Sequence, residues 1–186
     1  MRNTVDAEDC VLVLVDYQQR LMPAIQDSQA VLAEALCLAD IARELGVRVV
    51  GTEQNPEGLG ASVEAIRERC EFTVPKMRFD ACADGLLERL RCADRALPGD
   101  VVIAGCEAHV CLMQTALGLL RAGVRVWVVG PACGSRRASD HALAMERLRH
   151  AGAAIASAET IAFEWLRDCR HERFRPVLAR LKARSP

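Results

Sequence analysis

The sequence predicts an α/β fold: a three-layer, Rossmann-like sandwich with helices on both faces of a six-stranded parallel sheet. Three observations carry this. Short apolar runs recur without the alternation of a half-wet strand, which marks strands buried on both faces. The segments between them space their apolar residues as amphipathic helices do. Glycine stands just past the last apolar turn of most of these segments, where a left-handed cap leads into the next strand. Strand, helix, glycine, strand is the signature of right-handed βαβ crossovers.

The elements follow in order. Cys10 to Val15 (CVLVLV) is the first strand, closed by Asp16. A helix follows through Val31, Ala35, Leu38, Ile41, Ala42 and Leu45, ended by Gly46. Val47 to Thr52 is the second strand and Phe72 to Val74 a short third. Leu86, Leu87 and Leu90 mark a helix before the fourth strand, Asp100 to Gly105. A helix over Val110 to Arg121, ended by Gly123, leads to the fifth strand, Arg125 to Gly130. Ala142 to Leu148, ended by Gly152, leads to the sixth, Ala153 to Ser157. The tail from Ile161 to Ala183 reads as one or two amphipathic helices packed outside. No linker-like stretch divides the chain, so residues 1–186 are expected to form a single domain.

Composition narrows the function. Hydrophobic residues make up 51% and charged ones 26% of the 186 residues, enough apolar surface for a full core, which disfavours disorder. A formal net charge of −1, with charges interspersed, argues against nucleic acid as a partner. The first apolar run is far too short for a signal segment or membrane span, and nine cysteines, an odd number, suggest reduced thiols. A soluble cytoplasmic protein is therefore expected. Of 24 basic residues only Lys76 and Lys182 are lysines.

In such sheets ligands bind beyond the carboxyl ends of the strands, so Asp16, Glu53, Gln54, Lys76, Cys106 through Cys111 and Ala132 through Ser135 come first. No G-x-G-x-x-G follows a strand and no P-loop occurs, which disfavours the common nucleotide enzymes. Asp16 either points its carboxylate into the crevice or caps a turn. Lys76 is either a chance surface lysine or one kept because its site needs a compact cation that exchanges a proton, which arginine does not. Cys111 falls in the first turn of a helix, where the dipole and free N–H groups favour a thiolate and can bind an oxyanion; the bland alternative is an inert buried thiol, the reading preferred for the other eight cysteines. Cys106, His109 and Cys111 in C-x-x-H-x-C fit no familiar zinc pattern. His141 and His150 lie in a charged helical segment and are read as surface residues.

An Asp closing strand one (VLVLVDYQ), a Lys after strand three (VPK) and a Cys at the helix start after strand four (AGCEAHVC) together resemble the isochorismatase-like cysteine hydrolase superfamily. GTEQNPEGLG, GCEAHVCLMQTALGLL and DHALAMERLRHAGA look most like its isochorismatase domain-containing branch, which includes YcaC-like hydrolases. The resemblance implies a triad: Cys111 as nucleophile, Asp16 as the base that takes its proton, and Lys76 as the cation holding both. It implies acyl transfer through a thioester on a small amide or related C–N substrate. It also implies a cis peptide at Cys106–Glu107, with the N–H groups of Glu107 and Cys111 as oxyanion donors. Gln18 and Gln54 are the expected substrate contacts. Nicotinamidase-type members bind a metal through an Asp and histidines after strand two; here Gln54 and Pro56 occupy the matching places, so no metal and no cofactor are expected, and nicotinamide is a poor substrate candidate.

Partners are thus expected to be a small-molecule substrate and further copies of the chain, meeting through the helices carrying Leu112, Met113 and Leu119 or through the C-terminal ones. Two other classes compete. A receiver-type phosphoacceptor needs an Asp where this chain has Lys76 after its third strand. A silent scaffold would keep the fold without turnover.

Overall fold

A computed structural model describes residues 4–91 and 96–183. Six strands form one sheet: β1 (Cys10–Val15), β2 (Arg48–Gln54), β3 (Thr73–Lys76), β4 (Asp100–Gly105), β5 (Arg125–Val129) and β6 (Ala154–Ala156). Every pairing is parallel, in the order β3-β2-β1-β4-β5-β6. All residues of β1 and β4 are buried, which explains why their sequences run apolar without alternation. Each buried Val or Leu there contributes about 1.5–3 kcal/mol of transfer free energy. Truncating Leu12, at 0% exposure, to Ala would therefore cost about 2–5 kcal/mol.

The helices are α1 (Ser28–Glu44), α2 (Pro56–Leu59), α3 (Glu64–Arg67), α4 (Leu86–Leu90), α5 (Met113–Arg121), α6 (Ala138–His150), α7 (Ala158–Leu166) and α8 (Phe174–Ala183). Because strand order reverses at β1, right-handed crossovers place α1 and α5 on opposite faces. The tail packs as two helices, α7 and α8, against α1. Two expectations change. The helix after β4 begins as a π-helical turn, Ala108–Leu112, before α5 continues it. Leu112 and Leu119 are fully buried within the chain, so this helix turns that stripe toward the sheet and cannot offer it to another copy.

The reversal lies between β1 and β4, the switch point at which such sheets open a crevice. The two strands approach so closely there that a Cβ on Gly105, which has φ +155°, would stand 2.3 Å from the Val15 carbonyl oxygen. Only glycine fits. That contact lets Cys106 N–H donate to Val15 O at 2.9 Å and delivers the chain after β4 beside Asp16.

Candidate active site

Asp16 leaves β1 in the left-handed region, φ 55°, a conformation that non-glycine residues seldom hold without support. The support is visible. Its N–H donates to Thr52 O at 3.2 Å, and its carbonyl accepts from Gln18 N–H at 2.8 Å. The next residue, Tyr17, is fully buried and donates its hydroxyl to Ala132 O, tying the exit of β1 to the segment after β5. The carboxylate is thereby aimed into the switch point rather than used as a helix cap.

β2 and β3 run further than expected, so Gln54 and Lys76 are their last residues and face each other in the ladder. Lys76 Nζ lies 2.7 Å from Asp16 Oδ2, both side chains having no exposure, and donates to Gln54 Oε1 at 2.7 Å. Asp16 Oδ1 accepts from the Thr52 hydroxyl at 2.6 Å. Burying two charges is tolerable only when each is paired and hydrogen-bonded, and this group meets that condition.

Cys111 sits in the π-helical turn with its thiol 3.7 Å from Gln54 Oε1, the same oxygen that accepts from Lys76, and it feels the charges of both Asp16 and Lys76. Burial is the largest influence on that thiol, pushing it up to about 12, with Asp16 raising it further and Lys76 opposing. Burial thus favours the thiol, against the thiolate that a helix start suggested.

The remaining sequence candidates divide. Gln54 is in the cluster, but its amide is engaged: Oε1 with Lys76, Nε2 donating to Met77 O at 2.8 Å. Gln18 is fully buried behind it, donating to Gln54 O and Gly60 O and accepting from Gln54 N–H, so it staples the end of β2 to the loop after α2. Glu107 opens the nucleophile turn after a cis Cys106–Glu107 peptide bond, and its carbonyl accepts from Val110 and Leu112 N–H. His109 turns away to Ser135 Oγ at 3.0 Å, and Cys106 to Met22 Sδ at 3.8 Å. With the three side chains of C-x-x-H-x-C thus dispersed, they do not form a common ligand set. Among the described residues no three His, Cys, Asp or Glu side chains gather where they could hold a metal.

Sequence reasoning passed over Thr52, the donor to Asp16, and Tyr17. A buried threonine opposite Val15 in the ladder was the available signal. His141 is half-buried and contacts Gly130 O at 3.1 Å rather than standing on the surface, whereas His150 is exposed. Of the cysteines read as packing residues, Cys169 is exposed, and Cys92 lies outside the described residues.

A doubly wound parallel sheet with a cysteine beside a buried Asp–Lys pair at its switch point defines the class of protein. The Isochorismatase domain profile matches residues 10–160, and the chain belongs to that family. It is 33% identical over 179 residues to isochorismatase domain-containing protein 1 of Danio rerio, covering 95% of this chain but only 62% of that protein. It is 32% identical over 179 residues to isochorismatase domain-containing protein 2A of Mus musculus, covering 96% of this chain and 85% of that one. Among solved structures it resembles the MAR1 ribonuclease of Caenorhabditis elegans, with TM-score 0.90, 27% identity and coverage of 98% and 94%. It also shares the fold of the Escherichia coli YcaC gene product, described as an octameric hydrolase of unknown specificity, with TM-score 0.86, 21% identity and coverage of 99% and 90%.

Proposed function

We propose that this chain is a cysteine hydrolase of small amides or related C–N compounds, working through Asp16, Lys76 and Cys111 without a cofactor. The observation that carries the reading is the fully buried Asp16–Lys76 pair, 2.7 Å apart, joined to the Cys111 thiol through Gln54 Oε1, which meets both Lys76 and the thiol. In this mechanism Asp16 takes the thiol proton as Cys111 Sγ attacks the carbonyl carbon. The N–H groups of Glu107 and Cys111 receive the oxyanion. Collapse breaks the C–N bond, the leaving nitrogen takes the proton back from Asp16, and a thioester remains. Asp16 then draws a proton from water, which attacks the thioester and frees the acid and the thiol. Lys76 holds the Asp16 carboxylate at 2.7 Å and is itself kept in register by Gln54.

Turnover of a panel of small amides and ureides by wild type and Cys111→Ala tests this. Loss of about a thousandfold or more in the variant, with acyl transfer trapped on Cys111 by mass spectrometry in wild type, is the expected result. No turnover in either protein would leave the second reading, a silent scaffold. That reading is favoured by the thiol's 5% exposure and by the burial that disfavours its thiolate. RNA belongs in the panel because of the ribonuclease name of the Caenorhabditis elegans neighbour; the net charge of −1 argues against it.

A homo-oligomer is part of this reading. Among the described residues the large apolar side chains most open to solvent are Met77 (69%), Leu143 (63%) and Phe79 (50%), and Met77 and Phe79 lie within three residues of Lys76. Sedimentation at two concentrations checks it. The described cysteines are all free, which suits a reducing, cytoplasmic setting.

A further inference from the structure

The start of the nucleophile turn is fastened to the segment between β5 and α6 by contacts the mechanism above does not use. Ala108 N–H donates to Gly134 O at 2.7 Å, and Gly134 N–H donates to Gly105 O at 3.1 Å. One residue before Ala108, the Glu107 carboxylate reaches across. Its Oε2 accepts from both the main-chain N–H and the Nε of Arg136, each at 3.0 Å. The Glu107 side chain is only 9% exposed, whereas that of Arg136 is 62% exposed. A pair so open on one side contributes little to stability, about 0–1 kcal/mol. Its geometry is more telling, since two donors from one residue converge on one oxygen.

That latch governs a specific bond. The peptide unit between Glu107 and Ala108 is held by main-chain contacts: its N–H by Gly134, its carbonyl by Val110 and Leu112. The nitrogen of the preceding unit, which carries the Glu107 N–H, turns together with the Glu107 side chain about the Cα–C bond of Glu107. Fixing the direction of the Cα–Cβ bond removes that freedom, and the two bonds from Arg136 fix it. We propose that the Glu107 side chain, latched by Arg136, is a positioning residue that holds the Glu107 N–H on the oxyanion. This rests on Cys111 being the nucleophile. An oxyanion donor must meet the developing charge within a few tenths of an ångström to be effective, so a device that fixes one torsion has kinetic weight beyond its stability.

The test uses two electrophiles on the intact protein, with adducts at each cysteine quantified by peptide mass spectrometry. When the Cys111 sulfur adds to the terminal alkene carbon of acrylamide, the alkene electron pair shifts onto the amide oxygen. The thiol proton, carried by Asp16, then ends on the α-carbon. Iodoacetamide loses iodide by direct displacement and builds no charge on its oxygen. The acrylamide-to-iodoacetamide rate ratio at Cys111 therefore reads the oxyanion donors separately from thiol reactivity.

Glu107→Ala is expected to lower this ratio about tenfold, whereas Glu107→Gln, whose amide oxygen accepts the same two bonds, should stay within about twofold of wild type. Arg136→Ala keeps the main-chain donor and loses Nε, and should fall between, at about threefold. An unchanged ratio in Glu107→Ala overturns the proposal. So does a fall in Glu107→Gln equal to that in Glu107→Ala, which would assign the effect to the carboxylate's charge. Circular dichroism confirms folding, and if Glu107→Ala does not fold, an unchanged ratio in Arg136→Ala overturns the proposal by itself. Failure of the nucleophile reading looks different: in wild type, Cys111 would add acrylamide no faster than the exposed Cys169.

Discussion

Two aspartates are buried at 0% exposure at opposite ends of the sheet, and they are not equivalent. Asp100 opens β4 at the amino end. Its Oδ2 accepts from Asp6 N–H at 3.2 Å and Arg125 Nη2 at 2.6 Å, and its Oδ1 accepts from Trp127 Nε1 at 2.8 Å. Three directed donors tie the start of β4 to the amino-terminal segment and to β5. Asp16, at the carboxyl end, has the Thr52 hydroxyl on one oxygen and Lys76 on the other, and its charge raises the Cys111 thiol. Burial of a carboxylate therefore does not mark a site. What distinguishes Asp16 under the proposed mechanism is its remaining acceptor capacity, which Asp100 lacks.

Asparagine at each position is the sharpest way to break this comparison. Asp16→Asn can still accept from Thr52 but can neither take the Cys111 proton nor balance Lys76. Thioester formation should fall at least about a hundredfold. Urea unfolding should show a loss of about 3–5 kcal/mol from the unpaired ammonium. The pH dependence of stability compares the two ends through their sulfurs. Cys10 at the amino end and Cys111 at the carboxyl end are each pushed by burial from 9.0 to about 12. Above pH 9 the unfolded chain releases these protons first, so stability is full below that pH and falls as pH rises toward 12. The slope is about 1.4 kcal/mol per pH unit for each such thiol. Urea midpoints between pH 8 and about 10.5 should show the decline, and replacing either thiol by alanine should flatten it equally. Unequal flattening would mean that the Asp16–Lys76 pair, and not burial, governs Cys111.

Asp100→Asn should leave turnover unchanged and cost about 1–3 kcal/mol, read from the same denaturation curves. Lost turnover in a stably folded Asp100→Asn protein would remove the distinction between the two carboxylates. The smallest effect is expected from Thr52→Val, which deletes one donor to Asp16 and should cost about 1 kcal/mol with a severalfold slower acylation rate. An unaltered rate would show that Lys76 alone orients the carboxylate.

Much of this site was legible in the residues. The strands read clearly because burial on both faces leaves no alternation, and a parallel sheet places its chemistry where each run stops. Asp16 and Lys76 stood at such stops, and Cys111 just after one. Gln54 was legible as a position but not as a role, since only the β2–β3 register shows that its oxygen faces Lys76. Gln18 has the composition of a ligand contact, and its use as an internal staple depends on a loop whose path no local pattern encodes. Leu112 and Leu119 sat at helical spacing, but periodicity identifies an apolar stripe without saying whether the sheet or another copy covers it.

The sequence by itself determined the layer architecture, the order of strand and helix, and the three strand ends that carry reactive side chains. These follow from periodicity and turn chemistry, which are local. Tertiary structure alone decided the burial that disfavours the Cys111 thiolate, the assignment of Thr52 and Gln54 to the Asp–Lys pair, and the contrast between Asp16 and Asp100. Those depend on how far each group is removed from water and on which donors distant strands bring within 3 Å. Desolvation and hydrogen bonding across the sheet are properties of the packed molecule, and neighbouring residues in the chain do not specify them.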